Sequence, residues 1–169
     1  QGLLLCVPMG EKGIRPVDLV RGFAMTPAAG STVNTDHILS DRSQYGGGYT
    51  TLTAAANNIA TPNMESWPTD SCTVILAQRK LDATSRVSTA FGPTTDNIVN
   101  RVSTHLPYVD GTTYWDFGGN VTNVSRLAVA LTLGDDIFAF VAGRRGMRIY
   151  QNGIERAAHN NAITRTNTA

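Results

Sequence analysis

The sequence predicts an all-β protein, and three features of its composition and pattern lead to that prediction. Residues that favour helix surfaces are scarce, since the 169 residues include only three glutamates and two lysines. Glycine is frequent, with 16 residues, and threonine and other β-branched residues that favour strands are plentiful. Short β-prone segments recur with turn residues between them, at spacings typical of a two-sheet sandwich or a barrel.

The length and charge of the chain narrow the class of protein. The 169 residues are enough for one domain with a sizeable core. Charged residues make up 16% of the chain, against a usual value of ~25%, and the formal net charge is +1. This balance indicates neither a basic domain that binds nucleic acid nor an acidic disordered tail. No run of about 18 apolar residues occurs, so the sequence predicts no membrane-spanning segment.

The N-terminal half carries few regular signals. Residues 2–7 form a continuous apolar run that predicts a buried first strand and shows no signal peptide. The chain begins at Gln1, so we expect that a leader has been removed or that the chain is part of a longer protein. Residues 10–48 are polar and rich in glycine, which predicts a long irregular excursion with one or two short strands. Further strands are predicted at residues 72–79, 85–91 and 97–103.

The C-terminal half has the clearest strand patterns. Alternation along residues 112–117 places Trp115 and Phe117 on one face, which we expect to be the core, and Tyr114 on the other. The Asn152-Gly153 pair between two β-prone segments predicts a type I′ hairpin, because both central residues of that turn need positive φ. Other strands are predicted at residues 126–133 and 137–142, with turns at residues 118–120, 135–136 and 143–146.

The two cysteines, Cys6 and Cys72, do not have the spacing of a zinc site. They are candidates for a disulfide if the strands that carry them are adjacent. Two separate buried thiols are the favoured alternative, because free cysteine is among the most buried residue types.

Residues 105–119 (HLPYVDGTTYWDFGG) resemble the concanavalin A-like lectin/glucanase superfamily, in particular its laminin G-like modules. The similarity continues through Arg126-Leu127 to the hairpin at residues 147–154. It is best over residues 97–158, and residues 16–22 are similar to an early turn of the family. The resemblance implies a jelly-roll sandwich of two antiparallel sheets over residues 1–169. Its motifs are moderately specific for the fold and poorly specific for the ligand.

The sequence departs from this family at its C-terminus. Family members usually continue after the Asn-Gly hairpin with two or three more strands, whereas only residues 160–169 follow here. Residues 163–166 predict one strand at most. Either the sequence lacks the last strands of the domain, which we favour, or a partner supplies the missing edge by strand addition.

Catalytic patterns are missing from the sequence. The glucanase branch alternates carboxylates along one strand, which holds two of them on one face near the ~5 Å that a retaining mechanism needs. The three glutamates here stand alone, and the sequence has no Gly-x-Ser-x-Gly motif. None of His37, His105 and His159 has an acidic residue at a suggestive spacing. We therefore expect a protein that is not an enzyme, and a glycoside hydrolase is the least favoured alternative.

The resemblance implies that loops at one rim bind sugars or proteins, in some members around calcium. Sugar binding needs an aromatic platform together with Asp, Asn or Arg. The candidate ligand-binding residues are Tyr108, Asp110, Trp67, Tyr114 and Asp116. The loop position of Tyr108 and Asp110 favours a surface role, whereas Trp67 is equally suited to cap the core. No cofactor is expected, although Asp110, Asp116, Asp135 and Asp136 are weak candidates for calcium ligands.

The resemblance implies a non-catalytic lectin-like module on the surface of a phage-type virion, or an extracellular one, because family versions with this aromatic stretch look like pieces of phage tail, fibre or capsid-surface proteins. Its work would be to bind glycans or to decorate the particle. The alternative is a purely structural domain of a capsid or tail subunit that binds no sugar. The expected partners are other subunits of the same assembly, as a homo-oligomer, and a cell-surface glycan. Neither nucleic acid nor membrane insertion is expected.

Overall fold

β-Strands are the regular elements of the computed structural model. It describes residues 20, 22, 26–27, 37–43, 46–51, 59–60, 70–79 and 101–163. Every regular element in these ranges is a strand, so the all-β prediction is confirmed for the described residues. Among them no helix is long and apolar enough to cross a membrane.

The chain divides into two compact units, residues 1–64 and residues 65–169. The described strands of the first unit are β1 (Thr26–Pro27), β2 (His37–Ser43), β3 (Gly46–Thr51) and β4 (Ile59–Ala60). They form two antiparallel ribbons, β1 with β4 and β2 with β3. Strands β1, β2 and the beginning of β3 belong to the excursion predicted at residues 10–48. The predicted first strand at residues 2–7 lies outside the described residues.

The second unit contains two antiparallel sheets, which give it the character of a β-sandwich. The strands are β5 (Cys72–Arg79), β6 (Val102–His105), β7 (Thr112–Phe117), β8 (Arg126–Ala130), β9 (Asp135–Gly143), β10 (Gly146–Gln151) and β11 (Ile154–His159). One sheet has four strands in the order β11-β10-β9-β5, and the other has three in the order β6-β7-β8.

The predicted strand bounds agree with the structure for β5 and β7 and differ elsewhere. Strand β6 begins at Val102, and β8 ends at Ala130, three residues earlier than predicted. Asp135 and Asp136 were expected in a turn, but they are the first residues of β9. The bend lies one residue earlier because the Asp136 carboxylate accepts a hydrogen bond from the backbone N–H of Gly134 at 2.7 Å. The strand predicted at residues 85–91 lies outside the described residues.

Aromatic side chains from both sheets form the core of the second unit. Trp115 and Phe117 on β7 are fully buried, as their alternation predicts, and so are Phe138 and Phe140 on β9. The ring centroids of Trp115 and Phe140 are 5.7 Å apart. The Trp115 indole N–H also donates to the carbonyl oxygen of Val141 at 3.1 Å, which satisfies a buried polar group and links the two sheets.

The Asn152-Gly153 hairpin between β10 and β11 has the predicted backbone geometry, with φ angles of 53° and 79°. The Asn152 side chain ties this hairpin to the start of β9. Its Oδ1 accepts from the backbone N–H of Ile137 at 2.9 Å, and its Nδ2 donates to Asp136 Oδ1 at 2.7 Å. The turn therefore fixes the register of three strands.

His159, the last residue of β11, is expected to make the fold sensitive to acid. Neither of its ring nitrogens has a hydrogen-bond partner in the described part of the chain, and burial together with the nearby charge of Arg148 lowers its pKa from the usual 6.5. The unfolded chain therefore binds this proton more readily, so stability falls as the pH drops from about 6.5 towards the lowered pKa. His159→Leu removes this contribution.

Urea unfolding of the wild type and of His159→Leu at pH 7 and pH 5 tests this expectation. All other groups titrate in both proteins, so the difference in their free energies of unfolding isolates His159. We expect the variant to gain on the wild type as the pH falls. A difference that stays constant over this range would contradict the role of His159.

Candidate functional site

The hairpin between β6 and β7 brings three of the predicted ligand-binding residues together. Its loop is closed by two backbone hydrogen bonds, from Tyr108 N to Thr112 O at 2.8 Å and from Gly111 N to Tyr108 O at 2.9 Å. Gly111 has a φ of 81°, which a glycine adopts without strain. This compact turn places Tyr108 and Asp110 next to Tyr114 on β7.

Asp110 is an exposed carboxylate whose position is fixed by its neighbours. Its Oδ2 accepts from the Tyr114 hydroxyl at 2.6 Å, and its Oδ1 accepts from the backbone N–H of Thr112 at 2.8 Å. The Tyr114 hydrogen bond, helped by that from Thr112, lowers the pKa of Asp110 below its usual value of 3.8. The same bond raises the pKa of Tyr114 above 10.0. Near neutral pH, Asp110 is thus an anion and Tyr114 a hydrogen-bond donor.

Three aromatic rings pack edge to face at this hairpin. The ring centroids of Tyr108 and Tyr114 are 5.9 Å apart, with an angle of 77° between the ring planes. His105 lies against both rings, at 5.1 Å from Tyr108 and 6.2 Å from Tyr114. His105 is buried, whereas both tyrosines are half-buried and keep accessible surface. The two tyrosines therefore form a partly accessible aromatic surface that packs against the buried ring of His105.

Arg126, the first residue of β8, completes the cluster and was missed by the sequence analysis. Its Cζ lies 4.4 Å from the centroid of the Tyr114 ring, within the range of a cation–π contact. Its guanidinium also forms two hydrogen bonds with Asp116, Nε to Oδ1 at 2.6 Å and Nη2 to Oδ2 at 2.7 Å. These bonds raise the pKa of Arg126. The contact depends on the antiparallel pairing of β7 and β8, which sets Asp116 opposite Arg126 and which the sequence alone does not show.

Asp116 lies on the same face of β7 as Tyr114, but its carboxylate is fully buried. Besides Arg126, it contacts Arg101 Nη1 at 3.3 Å and accepts from Ser103 Oγ at 3.2 Å. Because these groups surround the carboxylate, Asp116 holds β6, β7 and β8 together and positions Arg126. We define the tyrosine site as Tyr108, Asp110, Tyr114 and Arg126.

The other predicted site residues lie elsewhere. Asp135 and Asp136 are at the start of β9, where Asp136 bonds Gly134 and Asn152. In the ranges that the structure describes, no three His, Cys, Asp or Glu side chains come together as metal ligands, so the four aspartates do not form such a group. Cys72 is half-buried against the core. Trp67 and Cys6 lie outside the described residues, so the two separate thiols that the sequence favours and the alternative Cys6–Cys72 disulfide both stay predictions.

Comparisons with protein-family models, with curated proteins and with solved structures found no match to this chain. Any proposal of function therefore has to be argued from the chemistry of the side chains of this chain. The tyrosine site combines aromatic surface, an anionic hydrogen-bond acceptor and a guanidinium that is already neutralised by a buried carboxylate. Such an arrangement suits a neutral polar ligand that also has an apolar face.

Proposed function

We propose that this protein is a non-catalytic, lectin-like module of jelly-roll type and that the tyrosine site binds a sugar. The observation that carries the proposal is the meeting of Tyr108, Tyr114 and the ionised Asp110 at one hairpin. The C–H face of a sugar ring packs on the tyrosine rings, and its hydroxyls donate to the free lone pairs of Asp110. The exposed negative charge of Asp110 favours a neutral sugar over an acidic one.

The site is arranged before a ligand arrives, which supports binding. Asp110 is held by two hydrogen bonds, and the Tyr114 ring lies between His105 and Arg126. Arg126 is itself fixed by its paired bonds to Asp116. Little side-chain entropy is then lost on binding, which lowers the free-energy penalty of association.

The carboxylates of this region support binding without catalysis. A glycosidase needs one carboxyl group as acid and a second as nucleophile or base. Asp110 is exposed, but the carboxylate of Asp116 is buried and occupied by Arg126, Arg101 and Ser103. We also propose, from the resemblance of the sequence, that this is a surface module on a virion-type assembly or in an extracellular setting, with other subunits and cell-surface glycans as partners.

A purely structural subunit domain is the second candidate, and one observation favours it. The outer face of the four-stranded sheet exposes apolar side chains on β5 and β9, with Ile75 68% and Ile137 39% exposed. Ala77, which pairs with Ile137, is also exposed on this face. Apolar patches of this kind often mark contacts between proteins, so the sheet would pack against other subunits.

A glycan array with titrations of the hits distinguishes the two candidates. We expect the wild type to bind glycans with neutral hexoses, with or without calcium. Tyr108→Ala and Asp110→Asn should each weaken binding by about tenfold or more, since each removes a main contact. Tyr150→Ala is the matched control, because Tyr150 lies on β10 in the other sheet, and it should bind like the wild type.

Two results would contradict the sugar proposal. One is a wild type that binds no glycan in either condition, which would leave the structural role. The other is binding that Tyr108→Ala and Asp110→Asn reduce no more than Tyr150→Ala does, which would move the sugar to another surface.

A further inference from the structure

A recess of about 420 Å³ opens on the second unit, and its described lining contains none of the residues of the tyrosine site. It lies where the β8–β9 connection meets the β10–β11 hairpin. Its lining comprises residues 130–132, Asp136, Gln151, Asn152 and Arg156. The volume lies within the range of small-molecule sites and is sufficient for one sugar ring.

The polar groups of this recess are held in place by the fold. Asp136 and Gln151 are each only 5% exposed. Asp136 accepts from Gly134 N and from Asn152 Nδ2, both at 2.7 Å, and Gln151 Nε2 donates to Thr132 O at 2.9 Å. Each Asp136 oxygen has a second lone pair, so the carboxylate can still accept from a ligand hydroxyl.

Arg156 supplies the only positive charge among the described residues that line the recess. It is exposed on β11, and in the described part of the chain it makes no ion pair. Its neighbour Glu155 is engaged with Arg148 at 3.4 Å and with the Tyr150 hydroxyl at 3.3 Å. The guanidinium is therefore available to an anion, and a carboxylate can bind it through two parallel hydrogen bonds.

We propose that this recess binds a sugar that carries a carboxylate, such as a uronic acid. Arg156 pairs with the carboxylate, while Asp136 and the Thr132 hydroxyl bind the ring hydroxyls. The buried carboxylate of Asp136 repels a multiply charged anion such as phosphate more strongly than a singly charged carboxylate, so a single guanidinium in the same recess favours the latter. The described lining residues include no aromatic ring, so they recognise the ligand by charge and hydrogen bonds rather than by stacking.

The recess and the tyrosine site share one end of the sandwich. Thr112, which bonds Asp110, pairs with Ala130 in the recess lining. A glycan that contains both a neutral and an acidic residue therefore meets two different sites at this end. The proposal for the recess does not depend on sugar binding at the tyrosine site.

Titration of the ¹⁵N-labelled full chain with sodium glucuronate, followed by NMR, tests the proposal. We expect saturable shifts of the amides of Gly134 and Asn152. Arg156→Gln should weaken this binding by about tenfold or more, whereas Arg145→Gln, an exposed arginine in the β9–β10 turn, should not. Glucose and sodium acetate should each bind the recess more weakly, because one lacks the carboxylate and the other the hydroxyls.

Failure of this proposal is distinguishable from failure of the tyrosine site. Tyr108→Ala should leave the Gly134 and Asn152 shifts intact, because those amides report on the recess, and Gly111 reports on the tyrosine site. The proposal is overturned if glucuronate gives no saturable shift at Gly134 and Asn152, if Arg145→Gln weakens binding as much as Arg156→Gln, or if acetate binds as well as glucuronate.

Discussion

Replacing Gly146 with alanine is expected to destabilise the second unit by at least about 3 kcal/mol. Gly146 begins β10 with a φ of 93°, a conformation that L-residues rarely adopt. A Cβ at this position would overlap the carbonyl oxygen of His159 and lie 2.7 Å from the Cα of Asn160. These are backbone atoms, so the end of β11 would have to move away from β10 and expose the buried Met147 beside it.

Gly153→Ala is the matched control for this prediction. Gly153 also has a positive φ, of 79°, but a Cβ there meets nothing within 4 Å. Its substitution should therefore show only the backbone strain, about 1–2 kcal/mol. Urea unfolding of both variants measures the difference. Equal losses in the free energy of unfolding for Gly146→Ala and Gly153→Ala would show that the close approach of the His159 backbone to Gly146 adds nothing to the cost of the substitution.

Local sequence signals predicted the parts of this fold that depend on neighbouring residues. The Asn152-Gly153 turn and the alternation of Trp115 and Phe117 were read correctly, because turn chemistry and side-chain alternation are local properties of the backbone. The contact of Gly146 with His159 was not predictable, since it depends on how closely β11 covers the start of β10. The order of strands was likewise not predictable from local sequence, because β5 pairs with β9 across a long stretch of sequence.

The same distinction explains what the sequence showed of the tyrosine site. Tyr108, Asp110 and Tyr114 lie within one hairpin, so a loop flanked by proline and glycine was sufficient to group them. Arg126 belongs to the next strand, and its contact with Tyr114 requires the register of β7 and β8. The sequence predicts Asp116 as a ligand residue because it does not show that Arg126 on β8 and Arg101, just before β6, cover its carboxylate.

Removal of the Arg126 side chain is expected to be strongly destabilising, because Asp116 has no exposed surface. In Arg126→Met the carboxylate keeps, among the described residues, Arg101 at 3.3 Å and Ser103 at 3.2 Å. Removing one partner of a buried ion pair typically costs about 3–5 kcal/mol, and here the interior carboxylate loses its two shortest charge-assisted hydrogen bonds. Arg144→Met is the control, because the Arg144–Asp70 pair is 81% and 50% exposed, and its loss should cost about 1 kcal/mol or less.

The double variant Asp116→Leu/Arg126→Met separates the penalty of an unpaired charge from the net value of the pair. Replacing both partners with apolar side chains leaves no buried charge on Asp116, so the double variant should be more stable than Arg126→Met alone. Unfolding of the two single variants and the double variant measures this coupling. If the losses in the free energy of unfolding of Asp116→Leu and Arg126→Met simply add in the double variant, the coupling between the two side chains is close to zero. The buried pair would then contribute no more to stability than an exposed pair. Arg126 would then matter mainly through its contact with the ring of Tyr114, and the proposed sugar binding should weaken in Arg126→Met even where the variant remains folded.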